Sequence, residues 1–129
     1  MSNDDIVLDA SAILAYLLNE PGAKGILLLL ERAVMSTVNL AEVRTRLIDR
    51  GGTALASGER VLQLMRRVEP FNEGDAVVAA ELRRTTSHAG LSLGDRACLA
   101  LALRLDAEVY TADQAWNRVN VGCLIHMVR

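Results

Sequence analysis

Short apolar runs alternate with longer stretches of helical periodicity along the chain. Apolar runs bounded by turn-forming residues predict five strands. They cover residues 6–8, 34–36, 68–71, 108–111 and 123–128. Helical spacing of apolar positions predicts helices between the strands. These cover residues 10–19, 23–32, 39–50, 54–67, 74–87, 93–105 and 113–118.

Local signals refine this pattern. Gly51 and Gly52 end the helix over 39–50, and Pro70 makes the strand over 68–71 short or places it at a sheet edge. The helix over 93–105 is apolar on most of its faces, so we expect it near the centre of the fold. Strands alternating with helices predict an α/β fold with a mostly parallel sheet.

The size and composition fit one globular domain spanning residues 1–129. Apolar residues make up 51% of the chain, and only 3% are aromatic, so aliphatic side chains and alanine must form the core. The formal net charge of −2 does not indicate a strongly electrostatic binder of nucleic acid.

The same sequence indicates a cytoplasmic protein. Cys98 and Cys123 lie in no metal-binding spacing, which is typical of buried thiols in a reducing compartment. Met1–Asp5 is acidic, unlike the start of a secretory signal peptide. The apolar runs are too short to span a bilayer, so we expect no membrane segment.

Acidic residues follow the predicted strands at their carboxyl ends. Asp9 comes directly after the first strand, Glu42 falls in the first turn of the helix after the second, and Asp113 follows the strand over 108–111. Asp95 opens the apolar helix and reaches the same sheet edge if that helix begins there. Ligands of parallel sheets bind at this edge, so the four carboxylates are candidates for one site.

Helix capping is the alternative role for each acid. Ser92-x-x-Asp95 and Asn39-x-x-Glu42 both match the capping-box pattern, and Asp9 and Asp113 stand where helices begin. A carboxylate at a helix N-terminus gains about 0.3–1 kcal/mol. Capping does not require the acids to converge, however, whereas the predicted topology brings them together.

Convergence of carboxylates has a chemical consequence. Two like charges about 4 Å apart repel by about 4 kcal/mol at an effective dielectric constant of about 20, so the group must take up protons or bind a cation. Oxygen ligands without His or Cys favour Mg²⁺ or Mn²⁺. Two such ions can activate water and stabilise the leaving oxygen of a phosphodiester.

Four segments together resemble the signature blocks of the PIN domain family, and the chain is most similar to its VapC-type toxins. The segments are IVLDASA at 6–12, NLAEV at 39–43, LSLGD at 91–95 and YTAD at 110–113. The resemblance covers essentially the whole chain. It implies a three-layer α/β/α fold and a ribonuclease that uses Mg²⁺ or Mn²⁺. It also implies a homodimer that a small cognate antitoxin protein holds inactive.

The resemblance assigns roles by position. Asp9 and Asp95 match the main metal ligands, and Glu42 and Asp113 match the other acids of the site. Ser11 and Thr111 match hydroxyl positions that often support it. Many members carry a further acid a few residues after the last one, and Asn117 stands in that region here. Sites with one ion or with two therefore both remain open.

Two arginines stand next to site acids in the sequence. Arg44 and Arg96 lie two residues and one residue beyond Glu42 and Asp95, where they could bind RNA phosphate or pair with the carboxylates.

Other functions remain as alternatives. The single lysine, Lys24, disfavours haloacid-dehalogenase-like phosphatases and response-regulator receivers, which need a late lysine. A free-standing PIN nuclease for other RNA or DNA stays open, as does a catalytically weak PIN-like module that only binds a partner.

Overall fold

A computed structural model of the protein describes residues 4–51 and 54–129. Within these ranges there are five strands, seven α-helices and three short 3₁₀ helices. The strands are β1 (Ile6–Leu8), β2 (Ala33–Ser36), β3 (Arg67–Glu69), β4 (Glu108–Thr111) and β5 (Ile125–Met127). The α-helices are α1 (Ala10–Leu17), α2 (Ala23–Leu27), α3 (Thr37–Arg50), α4 (Ala54–Leu62), α5 (Glu73–Glu81), α6 (Arg83–Thr86) and α7 (Leu93–Leu105). The 3₁₀ helices are Leu30–Arg32, Ser87–Ala89 and Gln114–Arg118.

The strands form one parallel sheet in the order β3-β2-β1-β4-β5. The chain runs outward from β1 through β2 to β3, and then crosses to the other side of β1 to form β4 and β5. Between β1 and β4 the strand order reverses, and such switch points leave a crevice at the carboxyl ends of the strands. Asp9 follows β1 directly at this crevice.

Helices cover both faces of the sheet, as alternation along the strands requires. Ile6 and Leu8 pack into one cluster with residues of α1 and α3. Val7 points to the opposite cluster, where it meets α7 and the buried Trp116. This is the three-layer α/β/α architecture that the resemblance to the PIN domain family implies.

Helix α7 has the predicted bounds and the predicted central position. An unbroken run from Ala97 to Ala102 is buried. At its other end, Arg104 donates to Asp75 Oδ1 at 2.9 Å and to Glu69 Oε1 at 3.0 Å. The helix is therefore tied to α5 and to β3 at its carboxyl end.

Several predicted helix ends are wrong, because long-range pairing overrides local propensity. The helix predicted over 54–67 ends at Leu62, and Arg67 is instead the first residue of β3. Strand pairing to β2 begins there, with Arg66 N–H donating to Ala33 O at 2.9 Å. The guanidinium groups of Arg66 and Arg67 bind the carboxylate of Asp5, which precedes β1.

Other boundaries differ for local reasons. The helix predicted over 23–32 ends at Leu27, and the turn that follows buries Leu30 while leaving Leu28 85% exposed. The helix predicted over 74–87 is divided into α5 and α6 at Leu82. The last strand keeps only the three residues that pair with β4.

None of the helices in residues 4–51 and 54–129 has both the length and the apolar character needed to cross a bilayer.

Neighbouring residues of α3 offer a direct test of the core. Leu47 is 1% exposed and Ile48 is 61% exposed. We expect Leu47→Ala to lower the free energy of unfolding by about 2–5 kcal/mol, because it leaves a cavity. Ile48→Ala is the control and should change it by less than about 0.5 kcal/mol. Urea denaturation measures both, and equal losses would contradict the assigned packing of α3.

Candidate metal centre

A cavity of about 750 Å³ opens at the carboxyl ends of the central strands. Its lining includes all four predicted acids and one of the predicted hydroxyls: Asp9, Ser11, Glu42, Asp95 and Asp113. Helix α3 forms one wall of the cavity. Topology therefore brings the four carboxylates to one place, as the sequence predicts; their metal-binding and catalytic roles stay predictions.

Asp9 is the most deeply buried of the four, with 3% of its surface exposed. Its Oδ1 accepts hydrogen bonds from the Ala12 backbone N–H and the Ser11 hydroxyl, both at 2.8 Å. Its Oδ2 accepts from the Thr111 hydroxyl at 2.6 Å. The first contact caps α1, so Asp9 is a helix cap and a cavity residue at once.

The two predicted hydroxyl residues join neighbouring strands around this carboxylate. Parallel pairing of β1 with β4 sets Leu8 beside Tyr110, so Thr111 lies next to Asp9. The Ser11 hydroxyl also accepts a hydrogen bond from Ala112 N–H at 2.9 Å. Ser11 and Thr111 thus orient Asp9, and Thr111 does so without lining the cavity in the described part of the chain.

Asp95 enters the cavity from the first turn of α7. It forms the predicted capping box with Ser92: Ser92 N–H donates to Asp95 Oδ2 at 2.9 Å, and Asp95 N–H donates to Ser92 Oγ at 3.2 Å. The box commits Asp95 Oδ2 to the start of the helix.

Asp113 lies at the rim and is exposed. It caps the 3₁₀ helix Gln114–Arg118 by accepting from Ala115 N–H at 2.9 Å. Asn117 does not line the cavity formed by the described residues; its amide donates to Gln114 Oε1 at 3.1 Å on the exposed side of that short helix. The structure therefore does not bring Asn117 together with the acids, since a 3₁₀ helix turns it away from Asp113.

Glu42 is held differently from the sequence expectation. Helix α3 begins two residues earlier than predicted, with Ser36 as its cap, so the Asn39-x-x-Glu42 capping box is wrong and Glu42 lies in the second turn. The buried Asn39 amide instead donates to Glu42 Oε1 at 2.8 Å and to Gly94 O at 3.1 Å. Asn39 thereby links Glu42 to the start of α7.

Gly94 completes this contact and was missed from the sequence. A Cβ atom at Gly94 would stand 2.6 Å from Glu42 Oε2, closer than real contacts allow. The glycine directly before Asp95 is thus where the Glu42 carboxylate approaches α7. The hydrogen bond from Asn39 to Glu42 could have been predicted, because residues spaced i, i+3 are neighbours on a helix surface.

Among the described residues, neither of the two arginines singled out in the sequence forms an ion pair with a site acid, although the charge of Arg96 acts to lower the pKa of Asp95. Arg44 forms an ion pair with Glu59 of α4, and Arg96 donates to Ala79 O at 2.9 Å. Arg46, one helical turn beyond Glu42, lines the cavity instead. The i, i+4 spacing from Glu42 was the signal that would have identified it.

The cavity concentrates negative charge. Burial raises the pKa of Asp9 to about 6, against the hydrogen bonds of Thr111, Ala12 and Ser11, and the Asp95 carboxylate raises it further. Burial also raises the pKa of Asp95, with the Asp113 carboxylate adding to the effect and the Ser92 hydrogen bonds opposing it. Asp95 is therefore near enough to Asp9 to raise its pKa, and Asp113 is near enough to Asp95 to do the same.

The donor chemistry fits a hard divalent cation. Only oxygen ligands converge, and their repulsion would be relieved by positive charge. Among the described residues, no three acidic, His or Cys side chains already form a closed metal cage. Mg²⁺ does not need one, because it keeps several waters and binds through one or two carboxylates. An ion held by Asp9 and Asp95 alone fits both the convergence of the carboxylates and the lack of a closed cage among the described residues.

The raised pKa of Asp9 predicts a pH-dependent cost to folding. The folded protein holds a proton there more tightly than the unfolded chain, so ionised Asp9 lowers stability as pH rises through about 6. Without metal, we expect Asp9→Asn to stabilise the protein, by about 1 kcal/mol more at about pH 7.5 than at about pH 5. Chemical denaturation in a chelator measures this, and a gain independent of pH would contradict the assignment.

Comparisons with known proteins agree with this architecture. A toxin–antitoxin complex from Klebsiella pneumoniae has a chain that superimposes with a TM-score of 0.77 at 16% identity, covering 97% of this chain and 98% of that chain. FitAcB from Neisseria gonorrhoeae gives 0.72 at 21% identity, with 95% and 97% covered. VapC20 from Mycobacterium tuberculosis, a toxin that cleaves the sarcin–ricin loop, gives 0.70 at 20% identity, with 88% and 93% covered.

These likenesses establish a shared fold. A search of curated proteins gives no match. The PIN domain family model matches residues 6–122, which include β1, the four acids and the cavity between them. The chain therefore belongs to the PIN domain family.

Proposed function

We propose that the chain is a metal-dependent endoribonuclease that hydrolyses RNA phosphodiester bonds, and that it is the toxin of a type II toxin–antitoxin pair. We further propose that residues 1–129 act as one nuclease domain. The observation that carries the proposal is the convergence of Asp9, Glu42, Asp95 and Asp113 on one cavity. Family membership and the folds of the toxins named above support it.

In this proposal Asp9 and Asp95 are the principal metal ligands, and Glu42 and Asp113 complete the acidic site. A bound Mg²⁺ or Mn²⁺ would lower the pKa of a coordinated water and stabilise the charge on the leaving oxygen. The repulsion between Asp95 and Asp113 supports including Asp113. One ion at Asp9 and Asp95 is the minimal arrangement, and a second would lie towards Asp113.

The surrounding residues act on the acids rather than on the substrate. Ser11 and Thr111 donate to Asp9 and fix the direction of its lone pairs. Ser92 orients Asp95 through the capping box. Asn39 holds Glu42 against α7. Such supporting contacts typically change metal affinity or activity by about 10- to 100-fold when they are removed.

The proposed partners are RNA, a cognate antitoxin protein and a second copy of the chain in a homodimer, in the cytoplasm. Exposed apolar side chains support binding to protein partners, since exposed apolar patches mark interaction surfaces. Leu27, Leu28 and Leu64 are 50%, 85% and 57% exposed. The Klebsiella pneumoniae structure is itself a toxin–antitoxin complex, which supports an antitoxin as one partner.

Loss of one ligand should abolish cleavage. We expect purified, partner-free protein to cut single-stranded RNA with Mg²⁺ or Mn²⁺ and to stop in a chelator. Asp95→Asn should reduce the cleavage rate by about 100-fold or more, since a ligand matters at least as much as its supporting contacts. Asp106→Asn at the opposite end of α7 is the control, because Asp106 has a φ of 52°, which Asn tolerates.

Two outcomes would contradict the proposal. Wild-type protein that leaves varied RNAs intact with both metals would favour a PIN-like module that only binds a partner. Equal activity of the Asp95→Asn and Asp106→Asn variants would reject Asp95 as a ligand. Thermal melting of both variants separates loss of activity from loss of folding.

Gly94→Ala should separate activity from stability. The new methyl group displaces the end of the Glu42 side chain, which is flexible, while alanine favours the helix by up to about 1 kcal/mol. We therefore expect unchanged or higher thermal stability with RNA cleavage reduced by about tenfold or more.

Gly25→Ala in α2 is the matched control, because a Cβ there meets nothing within 4 Å. It should leave cleavage unchanged. A Gly94→Ala variant as active as Gly25→Ala would show that the position of Glu42 does not matter for the reaction.

A further inference from the structure

The cavity presents a problem for the proposed substrate. An RNA backbone carries one negative charge per phosphate, and the carboxylates at the cavity repel it wherever a cation does not neutralise them. Arg46 is the only basic side chain that lines the cavity among the described residues. It lies on the wall formed by α3, one helical turn beyond Glu42 and on the same helix face.

Arg46 also differs from other arginines near the acids in having no partner. Arg44 is paired with Glu59, and Arg96 donates to the Ala79 carbonyl. Arg66 and Arg67 lie at the opposite edge of the sheet, where they are paired with aspartates before β1. Within residues 4–51 and 54–129, Arg46 makes no hydrogen bond or ion pair. Arg46 is an exposed residue that lines the cavity, so its side chain is available to a ligand.

The chemistry of this side chain suits a phosphate. Guanidinium is planar, stays protonated and can donate two parallel hydrogen bonds to phosphate oxygens. The buried residues Val43 and Leu47 set the rotation of α3, which directs Arg46 to the cavity side. A phosphate bound by Arg46 would lie beside the acids without competing with them for a cation.

We propose that Arg46 binds a backbone phosphate of single-stranded RNA next to the bond that is cleaved, and so determines substrate affinity. The proposal rests on the proposed nuclease function, of which it specifies the substrate contact. Arg46 holds the substrate through its backbone, so its contribution is independent of base sequence.

Substitution of Arg46 tests the contact, with Arg50 as the matched control. Arg50 is also exposed on α3, one turn further on, and does not line the cavity of the described residues. We expect Arg46→Ala to raise KM for single-stranded RNA about tenfold with kcat within about twofold, as does the loss of binding that is equal in the ground state and the transition state. Arg46→Lys should retain part of the affinity, and Arg50→Ala should match wild type.

Binding is measured separately from cleavage. In an Asp95→Asn background that blocks cleavage, fluorescence anisotropy follows binding of a labelled single-stranded RNA over a range of salt concentrations. Affinity falls as salt rises, and loss of one phosphate contact should make this dependence shallower. The negative slope of log affinity against log salt should decrease in magnitude by about 0.7. A purely structural role for Arg46 would not change that slope selectively.

The outcomes separate the two proposals. If wild type cleaves RNA but Arg46→Ala and Arg50→Ala have the same KM and salt slope, the Arg46 contact is rejected and the nuclease function stands. Suppose instead that wild type does not cleave RNA, but that Arg46→Ala alone weakens binding and makes its salt dependence shallower. The nuclease function is then rejected and the phosphate contact stands. Melting curves for Arg46→Ala and Arg46→Lys exclude misfolding as the cause.

Discussion

The burial of one carboxylate at the end of the central strand organises the functional end of this fold. Asp9 lies between α1, which it caps, and β4, whose Thr111 hydroxyl donates to it. A buried charge is costly unless it is hydrogen-bonded and its neighbours are neutralised. Thr111 of the neighbouring strand, the Ala12 N–H of α1 and the Ser11 hydroxyl donate hydrogen bonds to Asp9. The Asp95 carboxylate repels it. The site therefore combines firm positioning of Asp9 with an unbalanced charge, which is the combination that a cation stabilises.

Capping and site formation are the same geometry here rather than competing interpretations. Asp9 and Asp113 cap the start of a helix, Asp95 completes the capping box of α7, and all three line the cavity. In a parallel sheet, helices that follow strands begin at the carboxyl edge, so their caps gather where ligands bind. The backbone donors at those helix starts orient the carboxylates. Glu42 is the exception: it lies in the second turn of α3 and needs a side-chain amide, from Asn39, to hold it.

Local sequence signals were enough to predict the elements whose ends are marked by apolar runs or capping residues. Helix α7 and strands β1 and β4 have the predicted bounds, because apolar runs and the Ser92 capping box mark their ends. Features that depend on contacts between distant segments could not be predicted from local sequence signals. The start of β3 depends on its pairing with β2. The position of the Glu42 side chain depends on Gly94, which lies 52 residues later in the sequence. Which arginine of α3 faces the cavity depends on how the helix rotates onto the core.

The restraint of α7 at both ends has a consequence for motion. Its first turn is held by the Ser92 box and by the Asn39 contact to Gly94, and its last turn by Arg104 on Asp75 and Glu69. Sliding of packed helices is one of the common ways in which proteins open and close around ligands. Sliding of α7 along its axis would break contacts at both ends at once. We therefore expect α7 to keep its axial position when a ligand enters the cavity, and adjustment to fall to the exposed side chains of α3, such as Arg46.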